Sequence, residues 1–164
     1  MRTRLAMVVA LMAVSCAADT PTGPPFRTDA SVRTLMANIV DPAADLVWGA
    51  VGTVVDVNGE EHWEPDTEED WLSVRYGAMS MIEAGNLLMM DTRARDQDQW
   101  MRLAEGMMDA AMLAFEAAEN EDADRIFSLG ATIYNSCNNC HMLYWVDDVD
   151  RGRVVESSPD GSVP

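Results

Sequence analysis

The run Cys137-Asn138-Asn139-Cys140-His141 constrains this chain more than any other stretch. Two thiols and an imidazole at positions i, i+3 and i+4 share a face only on a helix, where residues three and four apart are neighbours. From that face Cys137 and Cys140 can each reach one vinyl group of a single porphyrin. His141 then brings an imidazole up to the iron. Cys-x-x-Cys-His is the attachment signature of c-type haem: two thioethers make the cofactor permanent and the histidine is the proximal ligand. Two other chemistries use a Cys-x-x-Cys pair. A structural zinc ion wants four Cys or His ligands. With three cysteines and two histidines in the chain, it would have to recruit the distant His62. A thioredoxin-like dithiol expects a βαβ pattern beside it, and none is visible.

The rest of the chain reads as four helices. The first begins near Thr28 or Ser31, with Val32, Leu35, Met36, Ile39, Ala43, Leu46 and Val47 at helical spacing. Asp41-Pro42 interrupts it as an N-cap and first-turn pair, so a kink or short break is expected there. From Gly52 to Asp66 the periodicity fails. Val54 to Gly59 suggests a short extended piece and a turn, and His62 falls in an acidic loop. A loop between helices seldom supplies a haem ligand without packing support, so His62 is not expected on iron.

The second helix is signalled by Thr67 as cap and by Glu68, Glu69 and Asp70 as first-turn acids. Trp71, Val74, Ala78, Met81, Gly85 and Leu88 keep one face apolar, and the helix ends around Asp91-Thr92. The third runs from about Asp96 to Ala118, its seam formed by Trp100, Leu103, Met107, Ala110, Ala114 and Ala117. The last opens near Asp122. Its stripe of Ile126, Gly130, Ile133, Cys137, Cys140 and Tyr144 puts both cysteines on the core side. Short connections favour antiparallel neighbours. The expected fold is therefore all-α: an antiparallel up-down-up-down four-helix bundle over residues 29–146, with haem c on the last helix. Residues 147–164 read as a disordered tail.

Ahead of the bundle, Arg2 and Arg4 precede an apolar run from Leu5 to Val14. Residues 1–16 are a signal peptide, far too short to span a bilayer as a mature helix. Export fits the motif, because bacteria attach haem c outside the cytoplasm. Ala13-Val14-Ser15-Cys16 resembles a lipobox, departing from it at Ala13, where Leu is usual. Lipid on Cys16 would hold the protein to a membrane facing the periplasm, and cleavage around Cys16 to Ala18 would release it. Residues 17–28, with Pro21, Pro24 and Pro25, read as a flexible tether. The net charge is −17, and all 11 basic residues are arginine. So acidic a chain does not suit nucleic acid. A basic redox partner or high external salt suits it better.

A CNNCH motif near the end of a four-helix chain, followed by Tyr144, resembles the class II c-type cytochromes, the cytochrome c′ family. The likeness covers roughly residues 30 to 146 and has this one specific motif. Family members often carry Arg or Lys where this chain has Trp145. The resemblance implies a haem flanked by the first helix, which supplies a methionine ligand in low-spin members. In an antiparallel bundle His141 lies roughly 7 to 8 Å from the end of its helix, at 1.5 Å per residue. Met36 lies a similar distance into the first helix and leads as sixth ligand, with Met89, Met90 and Met101 as competitors. Arg33, Arg93 and Arg95 are candidate partners for haem propionates.

Two functions are implied by that likeness. One is an electron-transfer cytochrome, with sulfur opposite histidine and acids that steer a basic redox partner protein. The other is a five-coordinate protein that binds small gases such as nitric oxide. No Ser-His-Asp set exists, so no enzyme is expected. Family members are often dimers packed through the first two helices, which leaves a homodimer open.

Overall fold

Ser31 starts the first helix by accepting the Thr34 backbone N–H on its hydroxyl. The structure, a computed structural model, describes residues 25–150, with side chains as far as Tyr144. The helical path runs through α1 (Val32–Leu35), a π-helical turn (Met36–Val40) and α2 (Asp41–Trp48). Of the kink or short break expected at Asp41-Pro42, the break does not occur: the turn before it is widened, and the chain stays helical through it. Pro42 has no N–H to offer Asn38, and its ring crowds that carbonyl. The turn before it opens, and the Asp41 N–H reaches back five residues to the Met36 carbonyl.

The segment expected to be a loop around His62 is a hairpin. Strand β1 (Gly52–Asp56) pairs antiparallel with β2 (Gly59–Trp63). Asp56 accepts the Asn58 N–H at 2.7 Å, and Gly59 takes φ +135°, which an L side chain rarely adopts. The Trp63 ring lies over Gly52, where any Cβ would meet it at 2.1 Å. Its indole N–H donates to the Gly49 carbonyl at 3.0 Å, pinning the hairpin to the end of α2.

Helix α3 (Glu68–Leu88) opens on a capping box, Thr67 and Asp70 each satisfying the other's backbone N–H. At the start of α4 (Gln99–Glu119) the Asp96 carboxylate takes the N–H groups of Asp98 and Trp100. At α5 (Ala123–Asp150) Asp122 accepts the Arg125 N–H at 2.8 Å. The backbone of α5 continues past Val146 to Asp150, so the helix overlaps the start of the expected tail. Residues 1–24 and 151–164 lie outside the described residues, and with them the signal peptide, Cys16 and most of the tail.

Named contacts set the helix directions. Arg75 near the start of α3 pairs with Glu119 at the end of α4. Trp100 at the start of α4 donates its indole N–H to the Leu88 carbonyl at the end of α3. Trp48 at the end of α2 donates to the Gly130 carbonyl early in α5 at 3.3 Å. Tyr144, late in α5, meets Asp96 just before α4. In these three pairs the helices run antiparallel, in a structure that is mostly helical with one small two-stranded sheet.

The apolar interior has two parts. The larger joins Val47, Trp71, Val74, Met81, Ile126, Leu129 and Ile133, with alanines of α4 between them. The smaller, at the Tyr144 end, joins Leu35, Val40, Ala84, Leu88, Trp100 and Met107. Several apolar positions differ from expectation. Ala104 and Leu129 are buried, while their neighbours Leu103 and Gly130 are half-buried, as are Cys137, Cys140 and Tyr144; Ile39 and Leu46 of the first helix are exposed. Among the described residues no helix is long and apolar enough to cross a membrane.

Candidate functional site

Helix α5 carries Cys137, Cys140 and His141 over one turn, and all three are half-buried. Cys137 packs against the larger apolar cluster, and Tyr144, two turns on, against the smaller. The motif therefore bridges the join between the two. Burial pushes the Cys137 thiol up, with the Ser136 side chain partly offsetting it, and it pushes the Cys140 thiol up too. It also lowers the His141 imidazole, against the opposing charge of Asp41. All three groups are thereby held neutral near pH 7. Neutral imidazole is the form that ligates a metal.

The opposing wall comes from the first helix. Asp41 lies close enough for its charge to act on both Cys137 and His141. Met36 is half-buried in the π-helical turn and packs against the same small cluster as Tyr144. That turn packs on α3, whereas the packing of this helix on α5 is made by α2. Two hollows among the described residues, about 420 Å³ beside Trp63 and about 620 Å³ beside Trp71, lie at the hairpin end.

The remaining sequence candidates lie on the α3–α4 turn, the helix ends beside it and the hairpin. The Arg93 guanidinium is buried, donating to the carbonyls of Ala30 and Leu87 at 3.2 Å and to the Met90 sulfur at 2.9 Å. It clamps the α3–α4 turn to the start of the first helix. Arg33 and Arg95 are exposed. Met89, Met90 and Met101 are half-buried, and Met101 joins the cluster that Met36 packs against.

His62 sits on β2, with Nδ1 3.0 Å from the Thr53 hydroxyl and Nε2 3.5 Å from Glu64. Its hairpin is pinned near Trp48, level with Gly130, and Cys137 lies about 10 Å further along α5. Among the described residues no group of three or more His, Cys, Asp or Glu side chains could hold a metal ion. A zinc site from the motif and His62 is not assembled.

Sequence reasoning missed two contributors. Asp41 was legible only as a helix-start residue beside Pro42. Asp96 gave a helix-start signal but no hint of Tyr144, which donates to it and stacks edge-on against Trp100 with ring centres 5.0 Å apart. The donor set fits a covalently held haem: two thiols and an imidazole on one helix turn, with a thioether on the helix across. No protein-family model matches the chain, and neither curated proteins nor solved structures give a match.

Proposed function

We propose that this chain is a haem c protein of the class II cytochrome type that carries single electrons between redox partners. The observation that carries this reading is the shared, half-buried turn of Cys137, Cys140 and His141, within reach of the charge of Asp41 on the first helix. Cys137 and Cys140 would hold the porphyrin covalently, and His141 would ligate its iron. Bound haem supplies an iron that changes oxidation state by one electron, at a potential set by its axial ligands and surroundings. The chain's own residues provide the sheltering. Tyr144, Trp100, Leu88 and Leu35 pack together at the end of the interior nearest the motif.

Met36 is the sixth-ligand candidate in this reading, because it reaches the same cluster as Tyr144 from the helix across. The antiparallel contacts between neighbouring helices support the up-down-up-down four-helix bundle. The charged leader, apolar run and Cys16 support a periplasmic protein held to a membrane by lipid.

The test is direct. Protein expressed with haem-maturation machinery should keep its colour through acid–organic extraction and give a haem c pyridine haemochrome. Colour lost to the organic phase, or zinc in place of iron, overturns the reading. A ferric spectrum showing five-coordinate iron would move the function to small-gas binding.

A further inference from the structure

Residues 126–146 contain no Asp, Glu, Lys or Arg, in a chain that is 24% charged with a net charge of −17. At 1.5 Å per residue that is about 30 Å of uncharged helix. Its inner side is core. Its outer side is uncharged and carries large apolar side chains among small polar ones such as Ser128, Thr132 and Asn135: Phe127, Tyr134 and Met142 are 63%, 59% and 64% exposed. With the exposed Ala131 and Asn138 they fall at i, i+4, i+7, i+11 and i+15. That spacing lays them along one stripe of α5, about 22 Å long. Large exposed apolar side chains gathered along one face, rather than scattered singly, mark interaction sites. Loss of charge with gain of aromatic and Met side chains is how the centre of an interface differs from ordinary surface.

Charge also selects the occupant. A basic partner is drawn to the acids of the hairpin and the start of α3, among them Glu60, Glu61, Glu68 and Glu69, all exposed. It gains nothing from a neutral stripe. Two copies of this chain repel wherever acid faces acid, and the α5 stripe is a face where they meet without that repulsion. The stripe is also self-complementary about a two-fold axis. Tyr134 stands near its middle, so antiparallel α5 helices would set Tyr134 against the partner's Tyr134 and Phe127 against the partner's Met142.

We propose that the outer stripe of α5 pairs with the same stripe of a second copy, forming an isologous dimer. One helix face is well short of the roughly 800 Å² per partner of a standard stable interface, so the dimer is transient. It uses the last helix, unlike pairing through the first two, and it does not depend on haem.

Sedimentation equilibrium of the purified protein, up to about 1 mM where so small a contact is populated, tests it. Dimer should form at the upper concentrations and tighten in high salt, because screening removes the net repulsion. Tyr134→Glu, and separately Phe127→Ser, should weaken it roughly tenfold or more with helical circular dichroism unchanged. Tyr76→Glu, on α3 and also 59% exposed, should leave it intact. A monomer at every concentration in high salt overturns the proposal. So does a dimer that salt dissociates, or one that Tyr76→Glu breaks and the α5 substitutions do not.

Discussion

Tyr144 donates its hydroxyl to the Asp96 carboxylate, joining the last helix one turn past His141 to the cap of α4. The same carboxylate caps the backbone N–H groups of Asp98 and Trp100. One side chain therefore begins a helix and anchors the end of another. Trp100 closes the triangle, its ring edge-on to Tyr144 and its indole N–H on the Leu88 carbonyl.

That link makes stability depend on pH at both extremes. Burial first, and then the bond to Asp96, push the Tyr144 phenol up to about 12 from 10.0. A raised phenol stabilises the fold fully below its unfolded value. This contribution is lost as pH climbs from about 10 to about 12. Asp96 is shifted the opposite way, chiefly by Tyr144. Its contribution is present above the unfolded carboxylate value and fades as pH falls below it. Tyr144→Phe should lower the melting temperature by about 4 °C at neutral pH, the shift expected for loss of one hydrogen bond. It should also flatten the loss of stability above pH 10. Thermal melts across pH would show both, and a variant whose alkaline limb matches wild type would sink the assignment.

Two glycines of α3 should answer the same substitution differently. A helical Gly→Ala change gains about 1 kcal/mol from backbone propensity. At Gly77 the new Cβ would meet the Ala43 carbonyl oxygen at 2.5 Å, and backbone of a packed helix cannot step aside. Overpacking costs about 1–3 kcal/mol, so Gly77→Ala should be net destabilising. At Gly85 the nearest atoms belong to the flexible Met108 side chain, at 2.2 Å, which can change rotamer. Gly85→Ala should stay within about 1 kcal/mol of wild type, the size of the propensity gain itself. Urea melts giving the reverse order would show that the two close approaches have been misread.

These glycines also show what the sequence makes legible. Periodicity places all four helices, and Thr67 announces its cap, because both signals are local. The π-helical turn was not legible. Pro42 marks a disturbance, but its own chemistry allows either a widened turn or a break, and the structure takes the widened turn. The hairpin was half-visible in Val54 to Gly59, and the covering of Gly52 by Trp63 is a contact across the turn with no local signature. At the candidate site, the spacing of Cys137, Cys140 and His141 was plain. The approach of Asp41 and the Tyr144–Asp96 bond depend on which helices become neighbours, and spacing does not encode that.

The cysteines should separate covalent attachment from mere binding. With Cys137→Ala one thioether remains, and the pyridine haemochrome band should shift to longer wavelength while colour survives extraction. The double change Cys137→Ala, Cys140→Ala should leave no haem bound through acid–organic extraction. Cys16→Ser serves as the control within the set, since its effect belongs to membrane fractionation and not to the spectrum. Retention of haem by the double variant would mean that these thiols are not the attachment points.

Met36 carries the last prediction, that its sulfur ligates iron opposite His141. It is half-buried in the π-helical turn and shares a cluster with Tyr144, one turn beyond His141. Thioether sulfur is a soft neutral ligand that favours ferrous iron and raises the potential. Met36→Ala should convert a six-coordinate spectrum to a five-coordinate one, lower the potential, and speed binding of carbon monoxide or nitric oxide. The fold should survive. Met→Ala in a full core costs about 2–5 kcal/mol, and a half-buried site falls toward the low end of that range, within a domain's usual stability. Met36→Leu is the cleaner variant because it keeps the volume and removes only the sulfur. It should abolish the sulfur-to-iron charge-transfer band of the ferric protein while melting close to wild type. If that band persists in Met36→Leu, Met36 is packing alone, and Met101, against the same cluster, becomes the methionine to test next.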